Sequence, residues 1–373
     1  MEVVIVGAGT FGASLAWWLA RAGESVTLVD QFAPGDQRAS SGGETRLLRC
    51  SHGRDVEYTV MARRARTLWR ELEQESGEDL FVECGLAWFA HREGGWETAS
   101  EATLAEHGIP VVHLDVAEAA DLYPSFRGDD LAFVLLEPEA GVLRAQRAIR
   151  TLVTQAVARG ARLKRGRARP DGARVVLDES TRLEGDAVVW ACGAWLASLF
   201  GELVPLTITR QEVLFFDGGP VWRAPHLPAW VDYDRATYGT GDLDALGVKA
   251  AIDVEGPRLD PDAELSDEPT TESEVRSYLR ERFPALESAP LVESRSCRYE
   301  LTRDTHFIAA RHPVHPTVWL VGGGSGHGFK HGPAMAERLA AALAGRESLP
   351  ARFALGDRAP SRSLRTAGSG LGG

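Results

Sequence analysis

The stretch "VVIVGAGTFGASLAWWLARAGESVTLVD", Val3 to Asp30, decides the fold. It opens with the apolar, β-branched run Val3–Val6, which is typical of a buried parallel strand. The turn GAGTFG follows over residues 7–12, and then come a helix of small and apolar residues and a second strand that ends at Asp30. This strand–turn–helix–strand order predicts a dinucleotide-binding unit of the Rossmann type.

The residues of the turn have separate physical tasks. Gly7 permits the tight turn, Gly9 lets the backbone approach a pyrophosphate, and Gly12 lets the helix pack on the strand. The helix N-terminus supplies amide donors and the positive end of a dipole. Asp30 is expected to accept hydrogen bonds from a ribose diol, which disfavours NADP but leaves NAD and FAD open. The cofactor contacts predicted here are Gly7, Gly9, Thr10, Phe11, Gly12 and Asp30.

Composition excludes several classes of function. The 373 residues suggest two or three domains, and 44% hydrophobic and 25% charged residues are normal for a globular protein. A net charge of −12 argues against a nucleic-acid partner.

Four cysteines without a CxxC pair predict neither disulfides nor a metal site, and they favour a cytoplasmic protein. The uncharged N-terminal stretch is interrupted by glycines and has no basic start, so no membrane partner is expected.

The loop "QRASSGGETRLLRCSHG", residues 37–53, favours FAD over NAD. A Ser/Gly-rich loop of this kind can run along an extended cofactor and bring two cations, Arg46 and Arg49, to its far end. A solvated loop with exposed arginines is the alternative. The predicted cofactor contacts in this loop are Ser40, Ser41, Thr45 and Arg46.

Two later segments repeat the strand-to-glycine pattern. "GDAVVWACGAWLASLF", residues 185–200, predicts a second approach of backbone to cofactor, and "TVWLVGGGSGHGFKHGPAMAERLAAAL", residues 317–343, predicts a strand, a glycine loop and a helix. Between them, "TITRQEVLFFD" from Thr207 alternates as an antiparallel strand does. From about Gly356 the chain reads as a mobile tail. The contacts predicted from these segments are Gly193, Trp195, Gly324, Gly326, His327, Gly328 and Lys330.

The segment "SRSCRYELTRDTHF", residues 294–307, places Cys297 between Arg295 and Arg298. Neighbouring positive charge lowers the pKa of a thiol and favours the reactive thiolate. From the residues alone, Cys297 is either an accident of a charged loop or a nucleophile.

Taken together, "VGAGTFG", "SSGGETRLLR", "CGAW", "CRYELTRDTHF" and "GGGSGHGFKHG" resemble the D-amino-acid-oxidase-like flavoproteins. More narrowly, the chain resembles the monomeric sarcosine oxidase and N-methyltryptophan oxidase group over nearly its whole length. The resemblance implies a monomeric FAD-dependent amine oxidase. Such an enzyme oxidises the C–N bond of a secondary or cyclic amino acid to an imine, with O2 as acceptor and H2O2 as product.

The resemblance also implies a domain plan. We predict an α/β protein with a Rossmann-like FAD-binding domain of the glutathione-reductase type over residues 1–80, 141–206 and 290–373. An interleaved α+β substrate domain on a mostly antiparallel sheet is predicted over residues 81–140 and 207–289.

Residue roles follow from the same resemblance. It implies that Cys297 forms a thioether to FAD and that Arg49 and Lys330 hold the substrate carboxylate. Arg46 matches the arginine close to the flavin ring. The substrate is therefore expected to be a small amine that carries a carboxylate.

The remaining catalytic assignments include one departure from the group. Lys249 matches the lysine associated with oxygen activation, Tyr238 and Tyr299 match aromatic positions around the substrate, and His327 lies in the C-terminal glycine loop. Where sarcosine oxidases place a histidine four residues after the lysine, this chain has Asp253. An acid there could hold a cationic amine, accept a ring N–H proton or select a cyclic imino acid, so the sequence leaves the substrate open.

Three other functions remain as alternatives. An FAD-dependent amino-acid dehydrogenase would pass its electrons to another acceptor. An NAD-dependent dehydrogenase would satisfy the glycine motif but would have no use for Cys297 beside the C-terminal glycine loop. A non-catalytic nucleotide-binding protein would not need the pair Arg49 and Lys330.

Overall fold

The computed structural model describes residues 1–361. The strands are β1 Glu2–Val6, β2 Ser25–Asp30, β3 Thr45–Leu48, β4 Phe81–Val82, β5 Leu86–Ala90, β6 Val112–Leu114, β7 Phe133–Glu137, β8 Gly141–Arg144, β9 Arg162–Arg165, β10 Ala168–Asp171, β11 Arg174–Leu177, β12 Thr181–Leu183, β13 Ala187–Trp190, β14 Thr207–Phe216, β15 Ala229–Asp232, β16 Thr237–Thr240, β17 Val248–Ile252, β18 Leu291–Leu301, β19 Ile308–Arg311 and β20 Val318–Gly322. The α-helices are α1 Thr10–Arg21, α2 Val56–Ser76, α3 Trp96–Glu106, α4 Val116–Ala119, α5 Ala145–Ala158, α6 Leu196–Phe200, α7 Glu272–Arg282 and α8 Gly332–Leu343.

The first sheet confirms the predicted Rossmann-like arrangement. Its order is β19-β20-β13-β1-β2-β9, with β19 antiparallel at the edge and the other strands parallel. The apolar faces of α1, α5 and α8 share one hydrophobic core with β1 and β2. A Cβ atom on Gly12 would lie 1.9 Å from the carbonyl oxygen of Gly7, so only glycine lets α1 start this close to the turn.

A second, larger sheet matches the predicted antiparallel domain. Its order is β18-β14-β17-β16-β15-β5-β7-β6, and only the pairing of β15 with β5 is parallel. Helix α7 packs Val275, Tyr278 and Leu279 into the core of this sheet. The helix ends at Arg282 because Phe283 precedes a proline, and a residue before proline is disfavoured in the helical region.

One predicted boundary differs from the observed sheets. Strand β18 pairs with β14 along its whole length, from Thr207 opposite Leu301 to Phe216 opposite Leu291. Residues 291–301 therefore belong to the larger sheet, although the prediction assigned everything from residue 290 to the cofactor domain. The physical reason is that a long strand such as β14 needs an equally long partner for its backbone hydrogen bonds. The rest of the domain division stays a prediction.

Part of the segment after Gly356, which was predicted to be a mobile tail, is attached to the rest of the molecule by hydrogen bonds. The Arg358 guanidinium donates to a carboxylate oxygen of Asp304 at 2.9 Å and to the carbonyl oxygens of His306 and Phe307. The tail predicted from Gly356 is therefore attached to the molecule at least as far as Arg358. Residues 362–373, the last part of both the predicted tail and the predicted cofactor domain, lie outside the described residues. No helix within residues 1–361 combines the length and the apolar composition that a membrane crossing needs.

Candidate active site

A large cavity lies at the carboxyl ends of the parallel strands, where three glycine-rich turns converge. The turns follow β1, β13 and β20, and the cavity has an empty volume of about 1210 Å³. Ligands of open α/β sheets bind at this edge. The predicted cofactor residues that line the cavity are Gly7, Gly9, Thr10, Phe11, Asp30, Ser40, Ser41, Arg46, Gly193, Trp195, Gly324, Gly326 and Gly328.

The lining of this cavity fits a dinucleotide cofactor. Gly9 caps α1 without a side-chain hydrogen bond, which leaves the first amide donors of the helix to a ligand. Gly7 has a φ of 104°, and a Cβ atom there would lie 2.3 Å from the carbonyl oxygen of Ala191. A Cβ atom on Gly9 would meet the Ser41 hydroxyl at 3.2 Å. The glycines thus keep open a space that any side chain would fill.

Asp30 stabilises the turn as well as facing the cavity. Its carboxylate accepts hydrogen bonds from the Ala8 amide at 2.6 Å and the Phe32 amide at 2.7 Å. Burial raises the pKa of this carboxyl group above its usual value, while the two amides act in the opposite direction. Each oxygen has a further lone pair, so the predicted ribose contact stays a prediction.

Five predicted cofactor residues lie elsewhere. Gly12, in the first turn of α1, packs against Gly7 and Ala191. Cys297 and Thr45 line neither cavity, and His327 and Lys330 line a second cavity next to the first. Sequence reasoning missed the buried acid Glu300, which lines the large cavity and accepts hydrogen bonds from the Ser40 hydroxyl and the Gly324 amide. Glu300 lies within the motif CRYELTRDTHF, but the motif did not indicate its role, because its partners Ser40 and Gly324 come from distant segments.

The second cavity has an empty volume of about 610 Å³ and adjoins the first, since both are lined by Arg46, Tyr299, Gly326 and Phe329. It brings together every predicted catalytic residue, although these come from five separate parts of the chain. They are Arg46, Arg49, Tyr238, Lys249, Asp253, Tyr299, His327 and Lys330. Their individual roles stay predictions. The apolar walls that the sequence did not indicate are Leu47, Trp88 and Val231.

Arg49 and Lys330 are buried cations on one side of this smaller cavity. Arg49 is 6% exposed, donates to the carbonyl oxygen of Ser51, and lies 5.0 Å from the Trp88 ring. Lys330 is 3% exposed, and its Nζ donates to the carbonyl oxygen of His327 at 2.9 Å. Burial lowers the pKa of Arg49 to about 10 and that of Lys330 well below its usual range. Two desolvated cations at a cavity wall favour an anionic ligand.

Lys249 lies on β17, where its side chain is 4% exposed. Its Nζ donates to the hydroxyl of Thr45 at 3.2 Å and to the carbonyl oxygen of the same residue at 3.3 Å, and it lies 5.5 Å from the Tyr238 ring. Burial, assisted by the positive charge of Arg46, lowers the pKa of Lys249 to about 8. The amine therefore changes charge near neutral pH.

The two arginines next to Cys297 in sequence are occupied elsewhere. Arg295 forms an ion pair with Glu44, and Arg298 donates to the carbonyl oxygen of Ala263. Because side chains alternate along a strand, Arg298 also points to the face of β18 opposite Cys297.

The positive neighbours of Cys297 along the sequence therefore do not give its thiol a lowered pKa. Burial raises the pKa of the thiol above its ordinary value. The positive charges that act most strongly in the other direction are those of Arg46 and Lys249, which lie far from Cys297 in sequence and line the smaller cavity.

Behind the smaller cavity lies a group of buried histidines, His52, His327 and His331. Burial and the nearby positive charges of Arg49 and Lys330 lower the pKa values of His52 and His331 well below their usual range. These two rings are therefore neutral at pH 7. Sequence reasoning predicted no metal site and did not single out His52 or His331, because His52 and the other two come from opposite ends of the chain.

Comparison with known proteins agrees with this geometry. The family model described as DAO, FAD dependent oxidoreductase, matches residues 2–342. The chain is 30% identical over 355 residues to monomeric sarcosine oxidase from Bacillus sp. (strain B-0618), covering 91% of this chain and 90% of that protein. It is 26% identical to N-methyl-L-tryptophan oxidase from Yersinia pestis (strain Pestoides F), covering 90% and 93%. Iminodiacetate oxidase from Chelativorans sp. BNC1 has the same fold, with a TM-score of 0.78, 21% identity and coverage of 95% and 99%.

Proposed function

Since this chain belongs to the FAD dependent oxidoreductase family and is an FAD-dependent amine oxidase acting on a CH–NH bond, we propose that it oxidises a secondary or cyclic amino acid. The observation that carries the proposal is the smaller cavity. It is lined by three buried basic residues, Arg49, Lys249 and Lys330, and by the buried acid Asp253, and it shares a wall with the large cavity. A substrate with a carboxylate and an amine matches that distribution of charge.

FAD would be held in the large cavity by the three glycine-rich turns, by the N-terminus of α1 and by the loop that contains Ser40 and Ser41. When bound, FAD supplies the two-electron redox chemistry of the reaction. A thioether between FAD and Cys297 is part of the proposal. Its support is that Cys297 lies on the same face of β18 as Tyr299, two residues on, which lines both cavities.

The residues of the smaller cavity bind and orient the substrate. Arg49 and Lys330 hold the carboxylate by charge-assisted hydrogen bonds, which fixes the position of the adjacent C–H bond. Trp88 and Val231 exclude water from the apolar part of the substrate. Asp253, which is 8% exposed, faces the amine and accepts a hydrogen bond or a proton from its N–H group.

A screen that couples peroxide formation to colour tests the proposal. We expect N-methyl or cyclic amino acids to give one H2O2 for each O2 consumed and each imine formed. The matching amines without the carboxylate should react at least about 30-fold more slowly, because truncating one partner of a buried charge pair costs about 2–5 kcal/mol and each 1.4 kcal/mol is a factor of ten. Equal rates for amines with and without the carboxylate would overturn it, and turnover only with an added electron acceptor would instead establish a dehydrogenase.

Removing the charge of Lys249 should slow the reaction with O2. In Lys249→Met we expect anaerobically reduced enzyme to be reoxidised by O2 about 100-fold more slowly, because a preorganised donor at developing negative charge is worth about 100- to 1000-fold. Since the pKa of Lys249 is about 8, the wild-type reoxidation rate should fall as the pH rises through that value. The variant should show no such fall. Stopped-flow absorbance measures both rates, and an unchanged rate in the variant would show that Lys249 has another task.

Asp253 should determine which amine is accepted. In Asp253→Asn we expect kcat/KM for the best substrate of the screen to fall about 10-fold or more, because a hydrogen bond to a charged group is worth about 1.5–3 kcal/mol. Asp253→His should shift the preference from cyclic imino acids towards N-methyl amino acids. Asp260→Asn, an exposed acid in the following loop, is the control. An identical substrate ranking in all three variants and the wild type would show that Asp253 does not determine substrate preference.

A further inference from the structure

The histidine cluster His52, His327 and His331 lies between the smaller cavity and α2. Their exposed fractions are 1%, 5% and 0%, and one ring nitrogen from each lies within 4.8 Å of the others. His52 follows β3, while His327 and His331 lie on the turn that joins β20 to α8. None of the proposed catalytic steps uses His52 or His331.

The hydrogen bonds of the cluster fix where two of its lone pairs lie. The His52 Nδ1 lies 2.9 Å from the carbonyl oxygen of Cys50, and the His327 Nε2 lies 2.9 Å from that of Thr305. A carbonyl oxygen only accepts, so each of these nitrogens carries the hydrogen, and the lone pair is on His52 Nε2 and on His327 Nδ1. Histidines that bind metals are oriented in this way, by donating their other N–H to a carbonyl or a carboxylate.

Within the described residues, His52 Nε2 and both ring nitrogens of His331 have no hydrogen-bond partner. A buried polar atom without a partner costs free energy, so the cluster needs an occupant that interacts with several nitrogens at once. Three imidazoles are a donor set that suits zinc and its first-row neighbours.

The charges around the cluster are mixed. Arg49 and Lys330 are positive, and they oppose a cation. The negative charge of Glu137 partly compensates both of them. Its buried carboxylate accepts hydrogen bonds from the Cys50 amide at 2.8 Å and from the Trp88 indole at 2.8 Å. Asp253 acts on Arg49 in the same direction.

We propose that His52, His327 and His331 form a buried site for one first-row transition-metal ion, with Zn²⁺ as the ion that best suits three imidazoles. His327 also lines the smaller cavity, so the ion has a route from that side. The site is separate from the redox chemistry, and it holds the turn that carries Lys330 against the segment that follows Arg49.

Zinc titration of the FAD-loaded enzyme tests the site. We expect one Zn²⁺ per chain after gel filtration, measured by atomic emission, and X-ray absorption at the zinc edge should show imidazole nitrogens at about 2.0–2.1 Å. Zn²⁺ should also raise the melting midpoint of the wild type. In His331→Phe the affinity should fall at least about 100-fold and the rise in the melting midpoint should disappear. His52→Asn is a second variant with the same expectation, should the first not fold.

The surface pair His312 and His315 is the control, because their rings lie 5.0 Å apart and can bind zinc adventitiously. The double variant His312→Ala/His315→Ala should keep the full stoichiometry. Zinc binding that is lost in this control but kept in His331→Phe would overturn the proposal. So would the absence of bound zinc in the wild type, which would leave buried water as the partner of the cluster.

Discussion

Cys297→Ser is expected to release the flavin completely from covalent attachment. After acid denaturation, the yellow colour of the wild type should stay with the precipitated polypeptide, whereas the colour of the variant should pass entirely into the supernatant. A serine hydroxyl has no accessible anionic form near neutral pH and cannot form the thioether. Absorbance of the two fractions and the mass of the intact chain measure the result.

The structure offers a matched control for this experiment. Cys192 lines the large cavity directly, and its thiol donates to the carbonyl oxygen of Val6 at 3.3 Å. The charges of Arg46 and Lys249 that favour a thiolate act on Cys297, whereas the pKa of Cys192 is raised by burial and by the negative charge of Asp30. Cys192→Ser should therefore keep its covalent flavin. Release of the flavin in Cys192→Ser but not in Cys297→Ser would show that Cys192 carries the covalent bond. Loss of the colour from the denatured wild type would show that the flavin is not covalently bound.

Arg49→Ala should weaken the binding of any carboxylate ligand at least about 30-fold. Truncating one partner of a buried charge pair costs about 2–5 kcal/mol, and each 1.4 kcal/mol is a factor of ten. A titration that follows the flavin absorbance with a small carboxylate that lacks the amine N–H measures the dissociation constant. Lys330→Met should weaken binding by a factor of the same order. In the double variant the loss of binding free energy should be smaller than the sum of the two single losses, because both side chains contact the same carboxylate.

Two measurements separate ligand binding from a loss of fold. Arg54→Ala changes an exposed arginine in the same segment and should leave the dissociation constant unchanged. Arg49→Lys keeps the positive charge but loses the planar pair of donors. Its dissociation constant should therefore lie between those of the wild type and Arg49→Ala. If Arg49→Ala weakens an amine without a carboxylate as much as the amino acid, Arg49 does not bind the carboxylate.

Most of the fold could be predicted because its signals are local. The β-branched run Val3–Val6, the glycines that follow and Asp30 specify one strand–helix–strand unit without reference to the rest of the chain. The predicted catalytic residues came from the family resemblance that five motifs carry, and the structure places all of them at one cavity. The boundary predicted at residue 290 did not anticipate the pairing of β18 with β14, because the paired residues lie far apart in sequence, from Phe216 opposite Leu291 to Thr207 opposite Leu301, and loop closure over such a distance leaves no local signal.

The cofactor-binding unit, the family resemblance and the charged and polar residues of the smaller cavity follow from the sequence alone. Only the tertiary structure decided the electrostatics. Cys297 is flanked by Arg295 and Arg298, yet the positive charges that act most strongly on its thiol are those of Arg46 and Lys249. Likewise, His52 meets His327 and His331 only in the folded chain. The physical reason is that charge and ligand geometry depend on distance and burial in space, whereas sequence records only neighbours along the chain.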